Sequence, residues 1–240
     1  MRDDVSTTAP GGPRLYLDSA DAADWERWLP TGVFHGVTTN PLLLARAGLD
    51  CDVPTLAWLT ARAAALGAHE IHLQAWGGDD ATLAARGREL AAAAAGVLPA
   101  AIKVPATESG LRAAARLRDE GHAVTLTAVF APGQVLAAAA AGVAYAAPYL
   151  GRLDDAGRDG RATVLAMHAI LRGTGATMRL LVASLRTADQ VADLAARGLD
   201  TFTVGPAVAA ALLEDDQTTA AARAFESAAA PPPGHRSDSA

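Results

Sequence analysis

Of the 20 basic side chains in this 240-residue sequence, one is a lysine, Lys103, and the rest are arginines. Heavy use of Ala, Arg and Gly suggests a coding bias that exchanges lysine for arginine wherever charge alone matters. That exchange fails where a neutral amine must attack a carbonyl, because a guanidinium stays protonated. Two plainer readings stand beside this one: the lysine escaped exchange, or it holds a buried ion pair. Its neighbours favour chemistry. Lys103 lies in AAIKVP (100–105), flanked by Ala101, Ile102, Val104 and Pro105, and an amine among apolar side chains is pushed toward its neutral, nucleophilic form.

A lysine of this kind must be held by a scaffold. Eight short runs read as strands: RLYLDS (14–19), GVTTN (36–40), EIHLQAW (70–76), AAIKVP (100–105), AVTLTAVF (123–130), VAYAAPYLG (143–151), MRLLVAS (178–184) and TFTVG (201–205). Between them lie amphipathic helical stretches such as DDATLAARGRELAAAAAG, SGLRAAARLRDEG, RATVLAMHAILRGTG and TADQVADLAARG, several ending at a glycine cap. Alternating β and α segments imply a parallel sheet. Eight such units predict an α/β fold, a (β/α)8 TIM barrel with a C-terminal helix, forming one domain over 14–228. A doubly wound open sheet is the competing fold, but no G-x-G-x-x-G follows the first strand. Residues 1–13 and 229–240, rich in Pro, Gly, Ser and Asp, read as mobile tails.

In such a barrel the chemistry sits at the C-terminal strand ends. Those ends carry Asp18, Thr38, Thr39, Asn40, Gln74, Lys103, Thr127, Tyr149, Ser184 and Gly205. The set has one carboxylate, one amine and several neutral hydrogen-bonding groups. His35, His72, His122 and His168 lack metal-ligand spacing and read as structural or exposed, so neither metal nor cofactor is expected. An amine-centred site without a metal points to imine chemistry. Each candidate also has a structural use: Asp18 as a helix cap, Thr38–Asn40 before Pro41 as a turn, Tyr149 as core, and Arg152 as a partner of Asp154 or Asp155. The tryptophans are packing residues by default, with Trp76 nearest the rim.

Composition excludes other classes. A formal net charge of −6, a pI near 5.4 and scattered arginines argue against nucleic acid or acidic lipid as partners. The sole cysteine, Cys51, allows no intramolecular disulfide, which suits a reducing cytoplasm. MRDDVSTTAPGGP lacks the basic and apolar regions of a signal peptide. The apolar run from Val135 to Leu150 is mostly alanine, interrupted by Gly142 and Pro148, so no membrane span is expected.

Five motifs, LYLDSAD (15–21), GVTTNPLLL (36–44), AIKVPATESGLRAA (101–114), LTAVF (126–130) and APYLGRLDDAGRDG (147–160), together resemble the small transaldolase and fructose-6-phosphate aldolase family. The resemblance runs from about Leu15 to the helix near Phe225. It implies that Lys103 forms a Schiff base with a ketose phosphate, that Asp18 moves the proton during C–C cleavage, and that Asn40 meets the donor hydroxyls, with Thr39 beside it as a further substrate-binding residue. It also implies that Gln74, Thr127 and Tyr149 hold a catalytic water and that Arg152 and Ser184 bind phosphate. The C-terminal segment TTAAARAFESAA resembles one used for subunit contacts, which implies a homo-oligomer. Transaldolases of the family typically carry Glu, Asn and Phe where this chain has Gln74, Thr125 and Tyr149. Glutamine with tyrosine is the aldolase-like pairing, whereas LGRLDDAGRDG is closer to the small transaldolases. Aldolase chemistry is the expectation and transaldolase the alternative. A non-catalytic sugar-phosphate binding barrel and a barrel anchoring pyridoxal phosphate on Lys103 are more remote readings.

Overall fold

The structure is a computed structural model and describes residues 12–229; the tails, apart from the residues adjoining the barrel, lie outside that range. Eight parallel strands are present: β1 (Arg14–Asp18), β2 (Phe34–Thr38), β3 (Glu70–Gln74), β4 (Ala100–Pro105), β5 (Ala123–Val129), β6 (Tyr145–Pro148), β7 (Arg179–Leu180) and β8 (Thr201–Val204). Their order is β7-β6-β5-β4-β3-β2-β1-β8. The chain just beyond β7 closes the ring: the Val182 N–H donates to the Thr201 carbonyl at 3.0 Å, and the Thr203 N–H to the Val182 carbonyl at 2.9 Å. The fold is the expected (β/α)8 barrel with an added C-terminal helix.

The helices are α1 (Ala22–Trp28), α2 (Pro41–Arg46), α3 (Val53–Ala65), α4 (Asp80–Ala94), α5 (Glu108–Asp119), α6 (Pro132–Ala140), α7 (Leu150–Asp155), α8 (Gly160–Thr174), α9 (Ala188–Ala196), α10 (Pro206–Leu213) and α11 (Asp216–Ala229). Side chains set most of their starts. Asp52, Asp79, Thr107, Asp159 and Thr187 each accept the backbone N–H of the third residue of the helix that follows, satisfying a donor that has no partner within the helix. None of these helices is long and apolar enough to cross a membrane.

Two packed regions follow from strand alternation. Outward residues such as Leu17, Val37, Ile71, Ile102, Val104 and Leu126 pack against the helices. The inner face is unusually polar: Thr38, His72, Lys103, Thr125, Thr127 and Thr203 are all buried, beside a small apolar cluster of Tyr16, Ala101, Tyr145, Ala147 and Leu181.

Six strands are shorter than their sequence runs, β4 coincides with its run, and β2 is shifted two residues earlier. β2 ends at Thr38 because Asn40 begins α2. β6 ends at Pro148, and residues 150–151 belong to α7 instead. Tyr149 provides no side-chain cap there, so the Leu150 and Gly151 N–H groups donate to the carbonyls of Ala183 and Ser184, at 3.0 and 2.9 Å. That bonding draws the chain after β7 out of regular strand geometry. Ser184 has φ 59, a left-handed conformation that non-glycine residues adopt rarely and mostly near functional sites. Ala128, with φ 57, marks the bulge between β5 and β6.

Candidate active site

Lys103 sits on the inner face of β4, between its register partners Gln74 on β3 and Thr125 on β5. It is buried, with 4% of its surface exposed. Its Nζ donates to the Thr39 carbonyl at 2.8 Å, and among the described residues no carboxylate pairs with it, so the ion-pair reading is not realised. Asp18 ends β1. Its Oδ1 accepts from Thr38 Oγ1 at 2.7 Å, and Thr38 Oγ1 lies 2.6 Å from Thr203 Oγ1. The single Thr38 proton goes to the carboxylate, so Thr203 donates to Thr38, and the two threonines fix one carboxylate oxygen. Asp21, not Asp18, caps α1.

Asn40 caps α2: its side-chain oxygen accepts from the Leu42 and Leu43 N–H groups at 3.0 and 3.1 Å. The amide NH2 remains available as a donor. Thr39 contributes its carbonyl to Lys103, while its hydroxyl turns to the His72 carbonyl at 3.2 Å. Thr127, 1% exposed, lies 2.8 Å from the Tyr149 hydroxyl. The Tyr149 ring packs edge-on to Phe130, 5.6 Å between centroids, and beneath the Arg152 guanidinium at 5.7 Å.

Arg152 has neither of the carboxylate partners available nearby. Asp155 pairs with Arg186 at 2.6 Å, and Asp154 accepts the Gly160 N–H at 2.9 Å. Gly151 brings the start of α7 against the segment 184–186. A Cβ there would stand 2.2 Å from the Ser184 carbonyl oxygen and 2.6 Å from Arg186 Nε, an approach open only to glycine.

Seven of the nine sequence candidates, all but Thr39 and Thr127, line one cavity of about 510 Å³ at the C-terminal end of the barrel, a size suited to a small metabolite. Sequence reasoning missed Arg46 and Arg186, which line it too. Arg186 stands two residues beyond Ser184, but the left-handed turn at Ser184 breaks strand alternation there, so no periodic signal marked it. Trp76 does not reach the cavity; it stacks against Arg86 at 4.5 Å. Three arginines and Lys103 face a single carboxylate, Asp18, so the cavity is electropositive within a chain of net charge −6.

A cavity with a buried lysine in its wall agrees with what similar proteins are. A family profile described as Transaldolase/Fructose-6-phosphate aldolase matches residues 15–232. The chain belongs to this family. Among its relatives are probable transaldolases of Caulobacter sp. strain K31, 37% identical over 203 residues covering 81% of this chain and 86% of the relative, and of Anaeromyxobacter sp. strain K, 36% identical over 191 residues covering 80% and 84%. One from Ruegeria pomeroyi is 33% identical, covering 81% and 86%. A solved mandelate oxidase variant with 2-hydroxy-phenylacetamide superposes with a TM-score of 0.55 at 15% identity, covering 82% of this chain and 65% of that one, a likeness of fold alone. The protein is thus a transaldolase-type enzyme, and the cavity around Lys103 is the candidate centre of that family's chemistry.

Proposed function

We propose that the enzyme cleaves a ketose phosphate of the fructose 6-phosphate type through a Schiff base on Lys103 and releases the dihydroxyacetone unit, as an aldolase. The observation that carries the chemistry is a buried amine with no carboxylate partner among the described residues, inside an electropositive cavity that holds one carboxylate.

In this reading the neutral Lys103 amine attacks the C2 carbonyl, and the carbinolamine loses water to give an iminium ion. Asp18, held by Thr38 and Thr203, takes the C4 hydroxyl proton. The C3–C4 electron pair moves into the iminium, giving an enamine and a free aldehyde. Protonation at C3 and hydrolysis then free dihydroxyacetone and restore the amine. The Asn40 amide NH2 and the Thr39 segment serve the donor hydroxyls. Arg152, Ser184 and Arg186 serve the phosphate, for which arginine forks are well shaped.

The pairing of Tyr149 with Thr127, and the presence of Gln74 beside Lys103, support an aldolase: these hydroxyl and amide groups suit a water that protonates and hydrolyses the intermediate. The names of the relatives favour a second reading, in which the dihydroxyacetone unit stays on Lys103 until an aldose phosphate accepts it. We further propose a cytoplasmic homo-oligomer built from the domain 14–228. Helix α11 buries none of its residues, and Phe225 on it is 72% exposed, which supports a subunit contact there.

Borohydride added with fructose 6-phosphate or dihydroxyacetone is expected to trap an adduct on Lys103, located by peptide mass, and Lys103→Arg is expected to be inactive. An active arginine variant would end the Schiff-base reading.

A further inference from the structure

Below Lys103 the barrel interior is aromatic and charged. The next inward residue on β4 is Ala101, and rings from β1, β3 and β6 fill the space around it. Tyr16 and His72 stand 4.9 Å apart between centroids, His72 and Tyr145 4.8 Å. Beneath them lies Glu70, whose Oε2 accepts from the Tyr16 hydroxyl and, at 2.8 Å, from the Tyr145 hydroxyl. The same oxygen is 3.5 Å from His72 Nε2, a long contact. On its other side His72 Nδ1 lies 2.9 Å from Thr125 Oγ1. Thr125 is the register partner of Lys103 on β5.

The proton positions in this column follow from its charges. Burial acts to raise the pKa of Glu70, but the polar contact with His72 and the hydrogen bonds donated by Tyr16 and Tyr145 outweigh it and hold the carboxyl down at about 2. An ionised carboxylate only accepts, so the ring nitrogen facing it carries the hydrogen. His72, wholly buried, has its pKa lowered chiefly by desolvation and stays neutral. A neutral imidazole with hydrogen on Nε2 has its lone pair on Nδ1, and the Thr125 hydroxyl must donate to it. Thr125 Oγ1 then presents only lone pairs to the inner face beside Lys103.

We propose that Glu70 and His72 act as positioning residues for Lys103: by fixing the tautomer of His72 they hold Thr125 as a hydrogen-bond acceptor that orients the attacking amine. A neutral amine has two N–H groups and one lone pair. The Thr39 carbonyl takes one N–H, as it does in this structure; Thr125 takes the other when the amine is neutral, and the lone pair points into the cavity. The inference rests on the Schiff-base reading above.

Single-turnover borohydride trapping with dihydroxyacetone tests it, with the wild type as reference. His72→Phe keeps a ring but cannot accept from Thr125. Its trapping rate is expected to fall by about 2- to 12-fold, the worth of one hydrogen bond, with half-saturation by dihydroxyacetone unchanged. His72→Asn, whose amide oxygen can accept from Thr125, is expected to recover most of the rate, and Thr125→Val to reproduce the loss. A folded His72→Phe or Thr125→Val that traps at the wild-type rate would overturn the proposal, as would His72→Asn no better than phenylalanine, while leaving the Schiff base intact. A wild type that traps nothing overturns both readings.

Discussion

Replacing Tyr149 by phenylalanine removes one oxygen from the candidate site and little else. The ring stays between Phe130 and Arg152. What is lost is the 2.8 Å bond to Thr127 and whatever bond the phenol makes to a water beside the imine. Thr127 is 1% exposed, so its hydroxyl loses a partner that bulk solvent cannot replace, and a stability loss of about 1–3 kcal/mol is expected. The catalytic effect is a separate quantity. One hydrogen bond to the water that protonates and hydrolyses the intermediate is worth about 0.5–1.5 kcal/mol, or about 2- to 12-fold in the release step. The assay compares dihydroxyacetone released from fructose 6-phosphate alone with ketose formed when an aldose phosphate is added. Release is expected to fall and transfer to persist or rise. Undiminished release by Tyr149→Phe would refute the role given to the phenol. A wild type that releases nothing without acceptor would refute the aldolase assignment itself, and the transaldolase reading would take its place.

Three other outcomes are expected. Arg152→Ala raises KM for phosphorylated substrates far more than for dihydroxyacetone; equal losses on both would remove Arg152 from the phosphate site. Gly151→Ala drives a methyl group into the Ser184 carbonyl and Arg186, which costs about 1–3 kcal/mol in thermal melts and raises KM for phosphorylated substrates; an unshifted melting temperature would show that the junction yields freely. Stability falls in acid in two stages, read as Tm against pH. His35 has a folded pKa lowered to about 4, by burial first and then Arg14. The unfolded chain therefore takes up its proton first, and stability is lost as pH falls from about 6.5 to 4. Glu70, lowered to about 2, adds stability above its unfolded value that is lost as pH falls from about 4.5 toward 2. A flat Tm between pH 7 and 4 would contradict the first stage.

Most of the fold was legible because βα alternation is a local pattern repeated eight times, and a barrel then brings residues far apart in sequence to one end. Asp18, Asn40, Gln74, Lys103, Tyr149 and Ser184 could be collected simply by reading strand ends. The failures came where hydrogen bonding overrides local preference. VAYAAPYLG has the composition of one long strand, yet its last residues turn into α7 because the carbonyls of Ala183 and Ser184 capture their N–H groups, a contact between positions more than thirty residues apart. Arg46 and Arg186 went unread because a charged residue past a strand end carries no periodic signal to show which way it faces. Thr39 and Thr127 were legible as polar strand-end residues, but not their orientation. One offers its carbonyl to the lysine, and the other sits behind Tyr149.

The histidines show a different limit. From the sequence, His72 is one polar residue in EIHLQAW, and burial in a core is its simplest use. Burial is what occurs, but it does not make the residue inert. A wholly buried imidazole must place its one hydrogen and its one lone pair somewhere, and every neighbour is constrained by that choice. With Glu70 ionised below, the hydrogen faces down, the lone pair faces Thr125, and the threonine's only proton is committed away from the lysine. Side-chain identity carried none of this, because the tautomer is set by a carboxylate two residues earlier on the same strand and by tyrosines from β1 and β6 that only the closed barrel brings together.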